Sequence, residues 1–159
     1  MVIAEEAVKR GWTHGAELGL WDGRTLRYLL EHVPSLTMIG VDIFRDIGIP
    51  DYRDGAWDHA GNREACRAIE AEYGSRVRVM DMLTVQAAED VPNGSLDFVF
   101  IDADHSRTAV EADISAWRPK LKPNGVMMGH DIDWPSVHDA VTACYPSVQI
   151  RADNVWMAA

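Results

Sequence analysis

Cysteine is almost absent. The chain of 159 residues has two, Cys66 and Cys144, far apart and outside any C-x-x-C pair. That excludes a disulfide framework and a zinc ribbon, and leaves two free thiols as the expectation. Positive charge is also short: 15 Lys and Arg stand against 25 Asp and Glu, a formal net charge of −10. A field of that sign repels phosphate backbones and anionic lipid, so neither nucleic acid nor a membrane is an expected partner. No apolar run reaches the roughly 18 residues that a membrane-spanning helix needs. The opening stretch, MVIAEEAVKR, holds acids where a signal peptide needs an apolar segment, so a cytoplasmic location is expected. Several site signatures are missing too. There is no G-x-G-x-x-G, no P-loop, no G-x-S-x-G elbow and no H-E-x-x-H.

What remains is a globular composition, 47% hydrophobic and 25% charged, without repeats, low-complexity tracts or a linker. One domain over 1–159 is the expectation. Short continuous apolar runs alternate with segments of helical period, the pattern of strands buried on both faces between crossover helices. Strands are expected at 13–18, 36–43, 77–82, 96–102 and 126–128, and helices at 3–11, 24–32, 62–73, 107–117 and 135–144. Two last runs, 148–151 and 155–157, flank Ala152-Asp153-Asn154 and read as an antiparallel hairpin. The fold class is therefore α/β: a doubly wound, mostly parallel, Rossmann-like sheet with a C-terminal antiparallel hairpin. Val110, Ile114, Trp117 and Leu121 share one helix face and are expected in the core, as is Trp156. Residues 44–61, rich in Asp, Gly and Pro, form the longest irregular stretch, and long loops often carry function.

In such a sheet, ligands bind outside the carboxyl ends of the strands. Each of the five expected ends carries an acid: Glu17, Asp42, Asp81, Asp102 with Asp104, and Asp131 with Asp133. The histidines His105 and His130 stand among them. Gly19 and Gly23 bracket a turn crowded by Glu17 and Asp22, an arrangement unsuited to a pyrophosphate and suited to a ligand with positive charge and hydroxyls.

These motifs resemble a known family. Glu17-x-Gly19-x-x-x-Gly23, then Gly40-Val41-Asp42, is similar to class I S-adenosylmethionine-dependent methyltransferases. The stretches LDFVFIDADHS at 96–106, LKPNGV at 121–126 and Gly129-His130-Asp131 resemble the small-molecule group that includes macrocin-type sugar O-methyltransferases. The resemblance implies a methyltransferase acting on a small molecule, with transfer to oxygen, and S-adenosyl-L-methionine as cofactor. It implies that Glu17, Gly19, Asp22 and Gly23 face the methionine moiety, that Asp42 with Ile43 meets the ribose, and that Asp81 and Met82 meet the adenine edge. Asp102 would sit beneath the methyl donor. The cofactor's net positive charge suits acidic strand ends. A second copy of the chain completing the pocket is a further expectation.

A hydroxyl acceptor must also lose its proton or have its oxygen held by a cation. Asp102, His130 and His105 are the catalytic candidates. Metal-dependent relatives hold Mg²⁺ with an acid after strand four and an acid pair after strand five, which makes Asp102 and Asp131 the metal candidates here. The replacement of one acid by His130 speaks against an all-oxygen site. Asp104 and Ser106 are N-cap candidates for the helix at 107–117. Glu111 and Asp113 read as an ordinary polar helix face. His14, His32, His59 and His138 read as solvated or packed. Trp21, Trp57 and Trp134 lie in or beside the site loops. A cofactor-fold binding domain without turnover is the alternative function. A nicotinamide-dependent oxidoreductase is disfavoured by the missing glycine fingerprint.

Overall fold

The computed structural model describes residues 1–45 and 58–158. The expected loop is therefore largely outside the described residues, and so is Trp57. In chain order the elements are α1 (Val2–Arg10), β1 (His14–Leu18), α2 (Arg24–His32), β2 (Thr37–Asp42), α3 (His59–Tyr73), β3 (Val77–Asp81), α4 (Thr84–Ala87), β4 (Leu96–Ile101), α5 (Arg107–Trp117), β5 (Leu121–Gly129), α6 (Pro135–Cys144), β6 (Gln149–Ile150) and β7 (Trp156–Ala158). The helix ends follow local chemistry. Gly11 closes α1 at φ 67°, a left-handed position that costs glycine little. Asp58 caps α3 by accepting from Gly61 N–H at 2.9 Å, and Ser106 caps α5 by accepting from Ala109 N–H.

The sheet order is β3-β2-β1-β4-β5-β7-β6. β1 pairs in parallel with both β2 and β4, β3 lies outside β2, and β5 lies outside β4. β7 joins β5 antiparallel and β6 joins β7 antiparallel, which gives the expected terminal hairpin. Chain order reverses at β1, between β2 and β4, and that is the switch point where a ligand crevice forms.

Period-two alternation divides the strands between two cores. Met38, Val77, Val79, Phe98, Phe100, Val126 and Met128 pack with α1, α2 and α3. Ala16, Leu18, Val41, Met80, Val99, Ile101 and Met127 pack with α4, α5 and α6. Carried to the strand ends, the same alternation turns Glu17, Asp42, Asp81, Asp102 and His130 toward the α1–α3 side. The acids thus share one face as well as one edge of the sheet.

Three expectations are corrected and one element is new. Helix α3 begins at His59 rather than at residue 62, because Asp58 caps it. Strand β5 begins at Leu121, since Leu121 already pairs with Leu96 ahead of a register shift that accommodates Pro123-Asn124-Gly125. Helix α4 is a single turn, too short for a periodic signal. Asp113 is 2% exposed, not part of a solvated face. Trp117 and Trp156 are fully buried, as expected. Among the described residues no helix is long and apolar enough to cross a membrane.

Candidate functional site

The turn after β1 is built around close backbone approach. Gly19 has φ 88°, and a Cβ there would run into the carbonyl oxygen of Asp102. Gly23 has φ 77° and lies against Ile69 and Cys66. Between them Trp21 takes φ 50°, an uncommon conformation for a bulky residue. Backbone bonds extend the parallel ladders past the strands: Gly19 N–H donates to Val41 O at 2.8 Å, Asp102 N–H to Leu18 O at 2.7 Å, Met82 N–H to Asp42 O at 3.1 Å and His130 N–H to Ile101 O at 3.0 Å. The tips of β3, β2, β1, β4 and β5 therefore meet side by side.

Glu17 lies at the floor of this edge. It is 2% exposed, and its Oε2 has no hydrogen-bond partner among the described residues. Burial, then the neighbouring carboxylates of Asp102 and Asp42, push its carboxyl well above the usual carboxylate range. The sequence brings Glu17, Asp42 and Asp102 together from three strands onto one electrostatic centre.

Asp42 is used in a way the sequence did not disclose. Its Oδ2 accepts from Leu20 N–H at 2.8 Å and Trp21 N–H at 3.0 Å, and its Oδ1 accepts from Phe44 N–H at 2.9 Å. The carboxylate closes the glycine turn, leaving about one of its four lone-pair sites open. Acceptance from both ribose hydroxyls would have to displace one of these donors. Asp81 pairs with Arg63 at 2.9 Å. Asp22 pairs with Arg24 at 2.7 Å and also accepts from its N–H, so it serves the first turn of α2. Ile43 is half-buried just past Asp42. Cys66 donates from Sγ to Trp21 O, and burial pushes its thiol up to about 12, so it is inert.

On the other side of Asp102 a second constellation forms. His105 Nε2 lies 2.6 Å from Asp131 Oδ2 and 4.0 Å from Asp102 Oδ1. His130 Nδ1 lies 3.1 Å from Asp131 Oδ1. The indole of Trp134 stacks on His105, with ring centroids 4.7 Å apart. Asp131 takes φ 55°, which turns its carboxylate back between the two imidazoles. Donor atoms of Asp102, His105 and Asp131 all lie within 4.8 Å of one another. The joining of His105 to Asp131 depends on that one turn and has no signature in the sequence. Asp104 accepts from Ser106 N–H at 2.6 Å and serves the start of α5.

Residues 16–132 match the family model described as Methyltransferase domain. An uncharacterized protein of Sinorhizobium fredii, y4gI, is 31% identical over 81 residues, covering 48% of this chain and 9% of that protein. The chain thus spans a small fraction of that curated relative. Among solved structures, a Staphylococcus aureus protein provisionally described as a caffeoyl-CoA O-methyltransferase superposes with a TM-score of 0.72 at 14% identity, covering 98% of this chain and 79% of its own. The methyltransferase PaMTH1 of Podospora anserina, solved with S-adenosylhomocysteine bound, gives 0.69 at 14%, covering 98% and 75%. CalS11, a TDP-rhamnose 3'-O-methyltransferase of calicheamicin biosynthesis, gives 0.68 at 14%, covering 98% and 76%. At such identities the likeness is one of fold, and it is the Rossmann-like methyltransferase fold. The chain belongs to the methyltransferase domain family.

Proposed function

We propose that this chain is an S-adenosylmethionine-dependent methyltransferase that acts on a hydroxyl of a small molecule. The observation that carries the reading is Glu17. A buried carboxyl whose Oε2 has no partner among the described residues, flanked by Asp42 and Asp102 at the switch point, is a group whose ionised form a cationic ligand would stabilise. S-adenosylmethionine, when bound, supplies a methyl group activated on a sulfonium, together with an ammonium. Glu17 and the Gly19–Gly23 turn would hold its methionine end, with Asp22 at the rim. The open site of Asp42 and the backbone at Ile43 would face the ribose, Asp81 and Met82 the adenine edge, and Asp102 the donor centre.

His130 would take the acceptor's proton. Its Nδ1 faces Asp131, which leaves Nε2 as the nitrogen that accepts. His105 is turned inward, between Asp131 and Trp134. Alignment of acceptor, methyl and sulfur in a water-poor crevice would supply the rest of the rate. The resemblance of 96–106 and 121–131 to macrocin-type sugar O-methyltransferases supports a hydroxyl acceptor, and the net charge of −10 supports a small molecule over nucleic acid.

The test is release of S-adenosylhomocysteine across a panel of sugar and phenol acceptors, run on the wild type, Asp102→Ala and His130→Ala. The expected result is turnover in the wild type and loss of at least about a hundredfold in kcat in His130→Ala, with cofactor affinity kept. Cofactor binding without turnover on any acceptor would assign the chain to binding instead. No binding at millimolar cofactor would overturn the reading.

A further inference from the structure

The outer face of α1 and α2 carries an apolar groove that the crevice does not use. Val8 is 65% exposed and Tyr28 is 36% exposed. They are two of the five large hydrophobic side chains exposed among the described residues, and both line this one groove of about 450 Å³. Glu5, Lys9 and His32 are among the residues that complete its lining. Glu17, Asp42, Asp102, His105 and Asp131 are not.

We infer that a second copy of the chain docks on this face, with the two α1 helices antiparallel about a two-fold axis. Such an interface sets one patch against itself, so each charge must find its opposite within the same short set. Glu5 and Lys9 provide that set. They stand four residues apart on α1, about 6 Å along its axis, on the face that Val8 shares. Antiparallel approach brings Glu5 to Lys9 of the second copy and Lys9 to its Glu5, with the two Val8 side chains between the pairs. Glu5 and Lys9 are 71% and 73% exposed. Their ion pairs within the chain, to the Met1 amine at 3.4 Å and to Glu6 at 3.9 Å, are long contacts of little energy. Charge also decides where two copies meet. A net charge of −10 repels a second copy over the surface as a whole. At this groove Glu5 and Lys9 cancel, so the apolar side chains can be covered without setting like charges together.

The α2 wall is ordered in advance. The rings of Tyr28 and His32 stack with centroids 3.8 Å apart and planes 12° apart, and His32 Nδ1 lies 2.9 Å from Tyr28 O. Covering rings already held in place costs little side-chain freedom. Tyrosine is also among the residues enriched at protein interfaces. Because the groove excludes the crevice residues, this pairing leaves both crevices open and does not complete the pocket.

Sedimentation velocity of the full chain, from micromolar to millimolar concentration, tests the pairing. The expected result is a monomer–dimer equilibrium that reaches twice the mass of one chain. Val8→Glu places an unpaired charge in the joint and should weaken association at least about a hundredfold. Glu5→Lys and Lys9→Glu, each alone, set like charges together on both sides of the axis and should each weaken it at least about tenfold. Combined in one chain, they should restore the wild-type constant to within about threefold. Ile150→Glu, equally exposed but on β6 and outside the groove lining, should change nothing. Circular dichroism verifies the fold of each variant, and if Val8→Glu does not fold, the charge exchange decides. A wild type that stays monomeric at millimolar concentration, a dimer that Val8→Glu leaves intact, a dimer lost in Ile150→Glu, or a double exchange that fails to restore association overturns the inference.

Discussion

Thr84 Oγ1 donates a 2.5 Å hydrogen bond to Asp113 Oδ1, and this bond fastens the loop after β3 to α5. Trp117 adds a second tie from the same helix by donating Nε1–H to Thr84 O at 3.0 Å. The loop so held starts at Met82, directly after Asp81 at the end of β3, and α5 follows directly from Asp102–Ser106. The two halves of the candidate site are thus connected through a buried carboxyl. Burial raises Asp113 to about 6, with Asp104 adding to it and the Thr84 bond opposing.

Asp113→Asn should therefore stabilise the protein at neutral pH. A carboxyl raised from 3.8 to about 6 on folding favours the native state most below the unfolded value. That contribution is lost as pH rises through about 6. Asn keeps an oxygen for Thr84 and carries no charge. The variant should exceed the wild type by about 2–3 kcal/mol at pH 7, and the gap should close toward pH 4. Urea unfolding at several pH values measures it; a gap independent of pH would contradict the assignment.

Gly19→Ala and Gly11→Ala form a matched pair. Both positions have positive φ, 88° and 67°. A Cβ at Gly11 meets nothing within 4 Å, whereas at Gly19 it meets the backbone of Asp102 and Ala103. Gly11→Ala should cost about 1 kcal/mol and Gly19→Ala more than about 3 kcal/mol, because backbone cannot swing aside as a side chain does. Equal losses in thermal or urea melts would show that the turn and the end of β4 are not in contact.

Asp42→Ala and Asp81→Ala separate turn closure from surface pairing. Removing Asp42 leaves three main-chain N–H groups without their acceptor and should cost about 2–4 kcal/mol. It should also weaken S-adenosylhomocysteine by at least about tenfold. Asp81 meets a half-exposed Arg63, so Asp81→Ala should change stability by less than about 1 kcal/mol. Similar effects of both on unfolding would refute the role given to Asp42.

Much of this was legible in the sequence. Glycine and proline punctuation located α2, α5 and α6 at their observed bounds, because helix ends are set by local capping chemistry. The five acidic strand ends were visible as a pattern, and alternation along the strands explains why Glu17, Asp42, Asp81 and Asp102 face one side. The hidden parts depend on contacts across the sheet. Asp113 reads as polar because its helical neighbours are polar, yet Thr84 of a distant loop covers it. Asp42 reads as a ligand residue because nothing local shows that Leu20, Trp21 and Phe44 will aim their N–H groups at it. The pairing of His105 with Asp131 needs the left-handed turn at Asp131, which non-glycine residues adopt too seldom to be expected.

Glu17→Gln bears most directly on the crevice. The substitution replaces a buried carboxyl whose Oε2 has no partner among the described residues and which burial holds well above the usual carboxylate range, so it should hold or raise stability at pH 7. It should at the same time take away a counter-charge for the bound ammonium. Isothermal calorimetry of S-adenosylhomocysteine should give one saturable site on the wild type and at least about tenfold weaker affinity on Glu17→Gln. Equal affinities, or no heat of binding in the wild type at millimolar ligand, would contradict a nucleoside held by its ammonium at these strand ends.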